Sequence, residues 1–320
     1  ERPWLPYPGW LGAWPAVAAF LGFAWFQLVH PAPQDPGILA WVVAVYVLVN
    51  LSGTLAFGLA DWLRHAEAFS LFFRMVAWLA PLNRRPDAGG SEGRIVATVP
   101  GLGLLHLPPL RPATVAFVLV ALGAVSFDGL STTFWWLGRI GVNPLEFPGR
   151  SAVMVANTVG LVGFAGALTA MVAAAVGLGR RLGGDRRPFA ACLGAAVPAL
   201  VPIAFGYHLA HHLTEFLVDA QYAMLALNDP LGRGWDLLGI GGWHVTASFL
   251  NEIHAVRLIW HGQVAVIVLA HVVAMIVGHG IAARQTADRR RVAIGQAPLT
   301  LVMVGYTLFG LWLLSTPVAG

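Results

Sequence analysis

Lysine is absent from the 320-residue chain, so its formal charge of +4 rests on arginine alone. Those arginines are scattered between apolar runs and form no basic face, which argues against nucleic acid as a partner. Charge of either sign is scarce, at 11% of residues, where a soluble domain carries about a quarter. The one cysteine, Cys192, excludes an intramolecular disulfide and any cysteine-rich metal centre. No phosphate-cradling P-loop and no His-Glu-x-x-His zinc-protease motif occurs. The glycines of GLGLLHL (101–107) and GIGG (239–242) lack the strand–helix setting of a dinucleotide fingerprint. No internal repeat or low-complexity tract is visible.

What the chain does have is apolar length. Hydrophobic residues make up 58% of it, and the mean hydropathy is +0.71. Several runs reach the roughly 20 residues that a helix needs to cross a bilayer. A lipid-exposed backbone must satisfy its own hydrogen bonds, so the expected fold is all-α: one polytopic membrane helix bundle over residues 1–320. Seven spans are expected, near 10–30, 37–60, 113–131, 151–178, 189–217, 258–281 and 298–315. Pro, Gly and charge clusters such as HPAPQDPG, LNRRPDAGGSEGR and GRRLGGDRRP separate them. The segment from His65 to Leu82 carries Glu67 and Arg74 and is expected to be interfacial or re-entrant.

Arginine placement orients this bundle. Arg64, Arg74, Arg84, Arg85, Arg94 and Arg111 lie between spans two and three. Arg180, Arg181, Arg186 and Arg187 follow span four, and Arg284 and Arg289 to Arg291 follow span six. With an odd number of spans these connections share one side, together with Arg2. Cytoplasmic loops carry the positive excess, so the N-terminus is expected inside and the C-terminus outside. The opening residue, Glu1, is no translation start, and a removed signal sequence is compatible with it. Trp4, Trp10, Trp14, Trp135 and Trp136 suit interface anchors.

Against this background one stretch stands out: YHLAHHLTEFLVD, Tyr207 to Asp219. At about 100° per residue, His208, His212, Glu215 and Asp219 share a narrow arc, with His211 at its edge, and Pro198 and Pro202 upstream are expected to kink the helix and re-aim that arc. His261 of the sixth span is expected at the same outer level, facing them. His271 lies about 15 Å deeper and His279 deeper again, from the helical rise. Asp128, in SFDGLSTTFWW, ends the third span at the outer level. A carboxylate so close to lipid normally faces a partner or a cavity.

The expected metal ligands are therefore His208, His211, His212 and His261, with Glu215 and Asp128 as catalytic carboxylates and Asp219 nearby. Imidazole and carboxylate donors without thiolate suit a divalent transition metal such as zinc, iron or copper. A hydrolytic centre would leave one position open for water, with Glu215 carrying the proton. The competing reading is haem b held by one histidine from each of spans five and six. A proton or quinone site is a third, and His271 and His279 are its cofactor-binding candidates. His30, His65, His106 and His244 read as hydrogen-bonded packing residues. Glu252, His244 and His254 could close the outer site from above. Asp128 could also simply cap the helix that follows it.

The pieces SFDGLSTTFWW, ALVPIAFGYHLAHHL, NDPLGRGWDLLG and WHGQVAVIVLAHVVAMIVGH, with ERPWLPYPGWLGAWPAV and AFSLFFRMVAWLAPL, cover most of the chain. In them the sequence resembles a bacterial multi-span membrane family often labelled fenitrothion hydrolase. The resemblance implies an inner-membrane protein hydrolysing organophosphorus-type esters, with a small-molecule substrate. The polar positions it carries over are Asp128, His211, Gln263, His271 and His279, favouring His211 over His208. Ala220 before Gln221, and His261-Gly262 before Gln263, depart from its pattern. If His211, His271 and His279 act together, a polar track through the bundle competes with one outer site. That would suit a redox or pigment-binding subunit among other membrane subunits.

Overall fold

The computed structural model describes residues 3–85, 94–146, 149–286 and 288–318; Arg2 and most of the loop after Arg85 lie outside them. The protein is all-α apart from one short hairpin. Among the described residues six helices are long and apolar enough to cross a membrane: α2 (Pro36–Phe57), α5 (Pro112–Ser131), α7 (Arg150–Leu182), the pair α8–α9 (within Phe189–His211), α11 (Ile253–Ala283) and α12 (Arg289–Ser315). The remaining expected span is the shorter α1 (Trp14–Leu28).

Neighbour contacts show that α1 completes the set. Gly12 lies beside Ala113 and Phe20 packs on Phe117, so α1 runs parallel to α5. Leu5 bonds Ala56, placing the end of α2 beside the start of α1. Phe127 abuts Gly160 while Ala165 abuts Gly123, so α7 runs antiparallel to α5. Leu110 bonds Gly194 at one end and Asp128 meets His211 at the other, making α8–α9 parallel to α5. Chain direction alternates through seven passes, and α12 runs the same way as α1. We call the end where α5 and α9 finish the upper end.

The arginine-rich connections do gather at the opposite, lower end. Arg284 bonds Leu105 and His106, and Arg187 bonds Gln285. These contacts bring together the links between passes two and three, four and five, and six and seven. At the upper end Phe134 bonds Pro317, and Arg150 bonds Gln27. α5 is the axis of the bundle; fourteen of its twenty residues are buried. Close approach around it depends on small residues. A Cβ added at Gly123, Gly206 or Gly310 would meet Ala165, Ala270 or Tyr207.

The segment after α2 is re-entrant. Gly58, at φ +84, breaks the chain direction where side chains rarely follow. α3 (Leu59–His65) then climbs along α2, with the Trp62 indole bonding Asn50 at 2.8 Å. Glu67 turns the chain and caps α4 (Ala68–Ala77), accepting from Phe69 N at 2.8 Å and Ser70 N at 2.5 Å. It also accepts from the Tyr46 hydroxyl. A buried carboxylate is tolerable there because every partner is a donor. α4 descends, Phe69 meeting Phe23 and Phe72 meeting Phe20. The hairpin β1 (Leu82–Arg85) and β2 (Arg94–Ala97) follows at the lower end.

Two expectations need correction. The 189–217 span breaks at its prolines, as expected, but a second break follows at His212. A 3-10 turn at Val197–Leu200, opened by Pro198, separates α8 (Phe189–Ala196) from α9 (Val201–His211). His212, at ψ 3, then kinks the chain into α10 (Leu213–Asn228), of which only Asn228 is buried. The arc of His208, His212, Glu215 and Asp219 therefore does not continue along one helix face. The WW segment after Asp128 forms its own short helix, α6 (Phe134–Arg139), but Thr133 caps it, not Asp128.

At the lower end the link between α7 and α8 is clasped electrostatically. Asp185 accepts from Arg187 N at 2.9 Å and from its guanidinium at 2.5 Å. Those Arg187 hydrogen bonds hold the Asp185 carboxyl down at about 2. A depressed carboxylate stabilises the fold fully above its unfolded pKa and loses that effect as pH falls through the folded one. Asp185→Asn should therefore lower the melting temperature at neutral pH. Its deficit against wild type should shrink as pH falls from about 4 toward about 2. Melts in detergent across that range check this; a pH-independent deficit would contradict it.

Candidate metal centre

Three ligand-type side chains converge at the upper end: Asp128, His211 and His212, with one donor atom each and all within 4.8 Å of one another. Their positions follow from two helices ending at one level. Asp128 is one turn from the end of α5, and the histidines straddle the kink at the end of α9. His211 Nε2 is 2.9 Å from Asp128 Oδ2. His212 Nδ1 is 3.1 Å from Glu215 Oε2, which accepts the ring proton. That arrangement leaves His212 Nε2 free. Ligand atoms about 2.1 Å from a tetrahedral ion lie about 3.4 Å apart. The group is thus near ligating geometry before any ion enters.

Glu215 was expected to carry a proton at the centre. Here it stands behind His212 as an orienting carboxylate, of the kind that fixes the tautomer of a ligating imidazole. A Cβ added at Gly129 would sit in ordinary contact with the His211 ring, 3.7 Å away, so α5 packs directly against the site there. Gln263 Nε2 donates to Ala210 O at 2.9 Å and ties α11 to the end of α9. Gln221 bonds Thr246 in both directions and holds the upper loop against α10.

Beside the centre lies a cavity of about 220 Å³ between α1, α4, α5 and α9. Phe20, Phe72 and Phe73 form its apolar wall, and Asp128, His208 and His212 its polar end. The re-entrant tip of α4 supplies much of that wall. Residue spacing could not have revealed this, because α1, α4 and α5 are far apart in the chain. His208 lines the cavity but points Nδ1 at Ala204 O, 2.8 Å away, and packs on Phe72.

The structure does not bring the other expected residues to the centre. His261 is exposed, bonds its own helix at Arg257 O, 2.6 Å away, and packs on Trp260. Its depth on α11 is as expected, but its face of the helix points away. Asp219, Glu252, His244 and His254 are exposed as well. His30, His65 and His106 have local partners, in Ala32 N, Asp61 O and Arg284.

His271 is buried among the helices below the centre. Its Nδ1 bonds Ile267 O at 2.8 Å, and its Nε2 has no partner among the described residues. Around it the packing joins α5, α9 and α12 through hydroxyls. Tyr207 donates to Tyr306 O at 2.9 Å, and the Tyr306 and Ser126 hydroxyls meet. The lone polar residues Ser126 and Tyr306, inside apolar runs, were the available sequence signal for this layer. His279 lies near the lower end, with Nδ1 3.2 Å from Gln296 Oε1. His271 and His279 are eight residues apart on α11, about 12 Å along the axis, so they serve different surroundings.

No family model, no curated protein and no solved structure matches this chain. The residues and their geometry carry the functional reading.

Proposed function

We propose that this multi-pass membrane protein is a metalloprotein holding a divalent transition metal, zinc, iron or copper, through Asp128, His211 and His212. The observation that carries the reading is the convergence of three donor atoms within 4.8 Å, at the wall of a half-open cavity lined by phenylalanines. Three protein ligands leave a fourth position for an exchangeable group. An ion so held acidifies water and polarises an ester oxygen.

The chain's own residues supply the rest of a hydrolytic site. Glu215 fixes the His212 ring. Phe20 and Phe72 offer an apolar face to a neutral, aryl-bearing organophosphorus-type ester. His208, free at Nε2, stands at the polar end of that cavity within reach of a leaving group. Helix packing also keeps hydrolysis ahead of haem binding. Between α9 and α11, Gly206 and Ala270 are so close that an added Cβ would clash. A macrocycle axially held from both helices has no room at that level.

The test is element analysis of purified protein with a chromogenic phosphotriester assay on the same sample. About one transition metal per chain is expected, with triester hydrolysis lost on chelation and restored by the metal. His261→Ala should leave both readings unchanged, as its side chain faces away. Metal without hydrolysis would retain the centre and reject the esterase. A Soret band would overturn the non-haem assignment.

A further inference from the structure

A crevice far larger than the cavity beside the metal centre lies at the opposite end of the protein. It lies between α7, α8–α9, α11 and α12 and holds about 1340 Å³, more than the roughly 300–1,000 Å³ of common small-ligand pockets. Its two ends differ sharply in chemistry. The lower mouth carries five arginines, among them Arg180, Arg181, Arg186 and Arg187, against the single carboxylate of Asp185. The interior is apolar, with Ala199, Ala274, Leu299 and Met303 on its walls.

The arginines are not equivalent. Arg187 is committed to Asp185 and Gln285, and Arg180 Nε donates to Arg187 O at 2.8 Å. Arg291 is paired with Asp288 at 3.2 Å. Arg181 and Arg186 have no side-chain partner among the described residues, and both face the crevice. Two uncompensated guanidiniums at the mouth of an apolar slot make an anion site with an oily extension. Its length is informative too. From Arg291 to Met303 the lining follows α12 for twelve residues, about 18 Å. One leaflet of a bilayer's hydrocarbon core is about 15 Å deep. The α7–α12 wall is sealed, because Gly179 lies against Gly295 O too closely for any side chain. Between mouth and floor Gln296 is already used, bridging Gly278 O and His279.

We propose that this crevice binds an anionic amphiphile, its phosphate headgroup taken by Arg181 and Arg186 and its apolar chain laid along Leu299 and Met303. Basic pockets between membrane helices bind acidic headgroups by the same physics. The phosphate chemistry could come from a bilayer lipid or from a soluble phosphate ester, and the crevice's apolar half favours the lipid.

The experiment uses the full chain in nanodiscs of mixed phosphatidylglycerol and phosphatidylcholine, released into native mass spectrometry. Wild type is expected to retain phosphatidylglycerol over phosphatidylcholine by about tenfold or more. R181Q/R186Q should bring the two lipids near parity, while R181K/R186K should keep most of the preference. Met303→Trp, which fills the floor, should reduce lipid retention without altering glycerol phosphate binding. Soluble glycerol phosphate, added at millimolar concentration, should displace little lipid. If it binds as well as the lipid and with the same arginine dependence, the phosphate site stands and the amphiphile is overturned. Equal retention of both lipids by wild type would overturn the proposal outright, whatever the variants do. So would an unchanged preference in R181Q/R186Q with a wild-type melting temperature.

Discussion

Asp128→Ala is expected to abolish stoichiometric metal binding, with occupancy falling to less than about a tenth of wild type. Changing a group behind a ligand already costs about 10–100-fold in metal affinity, and Asp128 offers the ion an oxygen directly. Its loss also removes the only negative charge among the three donors. In surroundings of low dielectric two neutral imidazoles compensate a divalent ion poorly. The carboxylate also bonds His211 at 2.9 Å, so a purely structural pair has to be separated from a ligand pair. Asp128→Asn does that. An amide oxygen still accepts from His211, so folding should survive, but the charge is gone and metal should be lost. Metal content is read by element analysis after equilibration with zinc, and folding by thermal melts. Wild-type occupancy in Asp128→Ala would remove Asp128 from the centre. Normal metal in Asp128→Asn with none in Asp128→Ala would make it a hydrogen-bonding residue, not a charged ligand.

The second large effect is steric. Gly310 on α12 is packed so closely on Tyr207 that an added Cβ would lie 1.6 Å from the phenol oxygen. Gly310→Ala must push Tyr207 out of place, breaking its 2.9 Å bond to Tyr306 O. The expected loss is about 1–3 kcal/mol, the ordinary range for overpacking, with the hydroxyl's lost bond at the upper side of that range. Gly305, on the same helix, has nothing within 4 Å of an added Cβ. Gly305→Ala should therefore leave the melting temperature nearly unchanged, within about 1 kcal/mol. Equal effects at the two positions would mean that helix propensity, not packing on Tyr207, governs α12. Because Tyr207 packs beside His271, Gly310→Ala should also raise the accessibility of that ring to modification in the folded protein.

Much of the architecture was readable because bilayer physics is one-dimensional. Apolar length, the position of arginine and the punctuation by Pro and Gly placed most passes to within a few residues, though α12 begins at Arg289, nine residues before its expected start at 298. They also grouped the arginine-bearing links at one end. The re-entrant segment was legible from Glu67 and Arg74 interrupting an apolar run. Its partner Tyr46 was not, since nothing in spacing says which helix a buried carboxylate will meet. The centre was half legible. Asp128 and the histidine pair were singled out as polar groups near lipid at a common depth, and depth is additive along a helix.

Azimuth was what failed. His261 has the depth required but turns its ring to Trp260, and Asp219 leaves the arc once His212 kinks the chain. Rotation about a helix axis depends on which neighbours pack where, and on breaks such as the Val197–Leu200 turn. Composition and residue order by themselves determined an all-α membrane chain, its passes, and the two ends that hold its chemistry. Only the tertiary structure decided that Asp128, His211 and His212 meet, that phenylalanines from α1 and α4 wall the space beside them, and that Arg181 and Arg186 find no side-chain partner among the described residues. The reason is physical. Hydropathy acts on each segment separately, whereas a site requires several helices to agree on rotation at once.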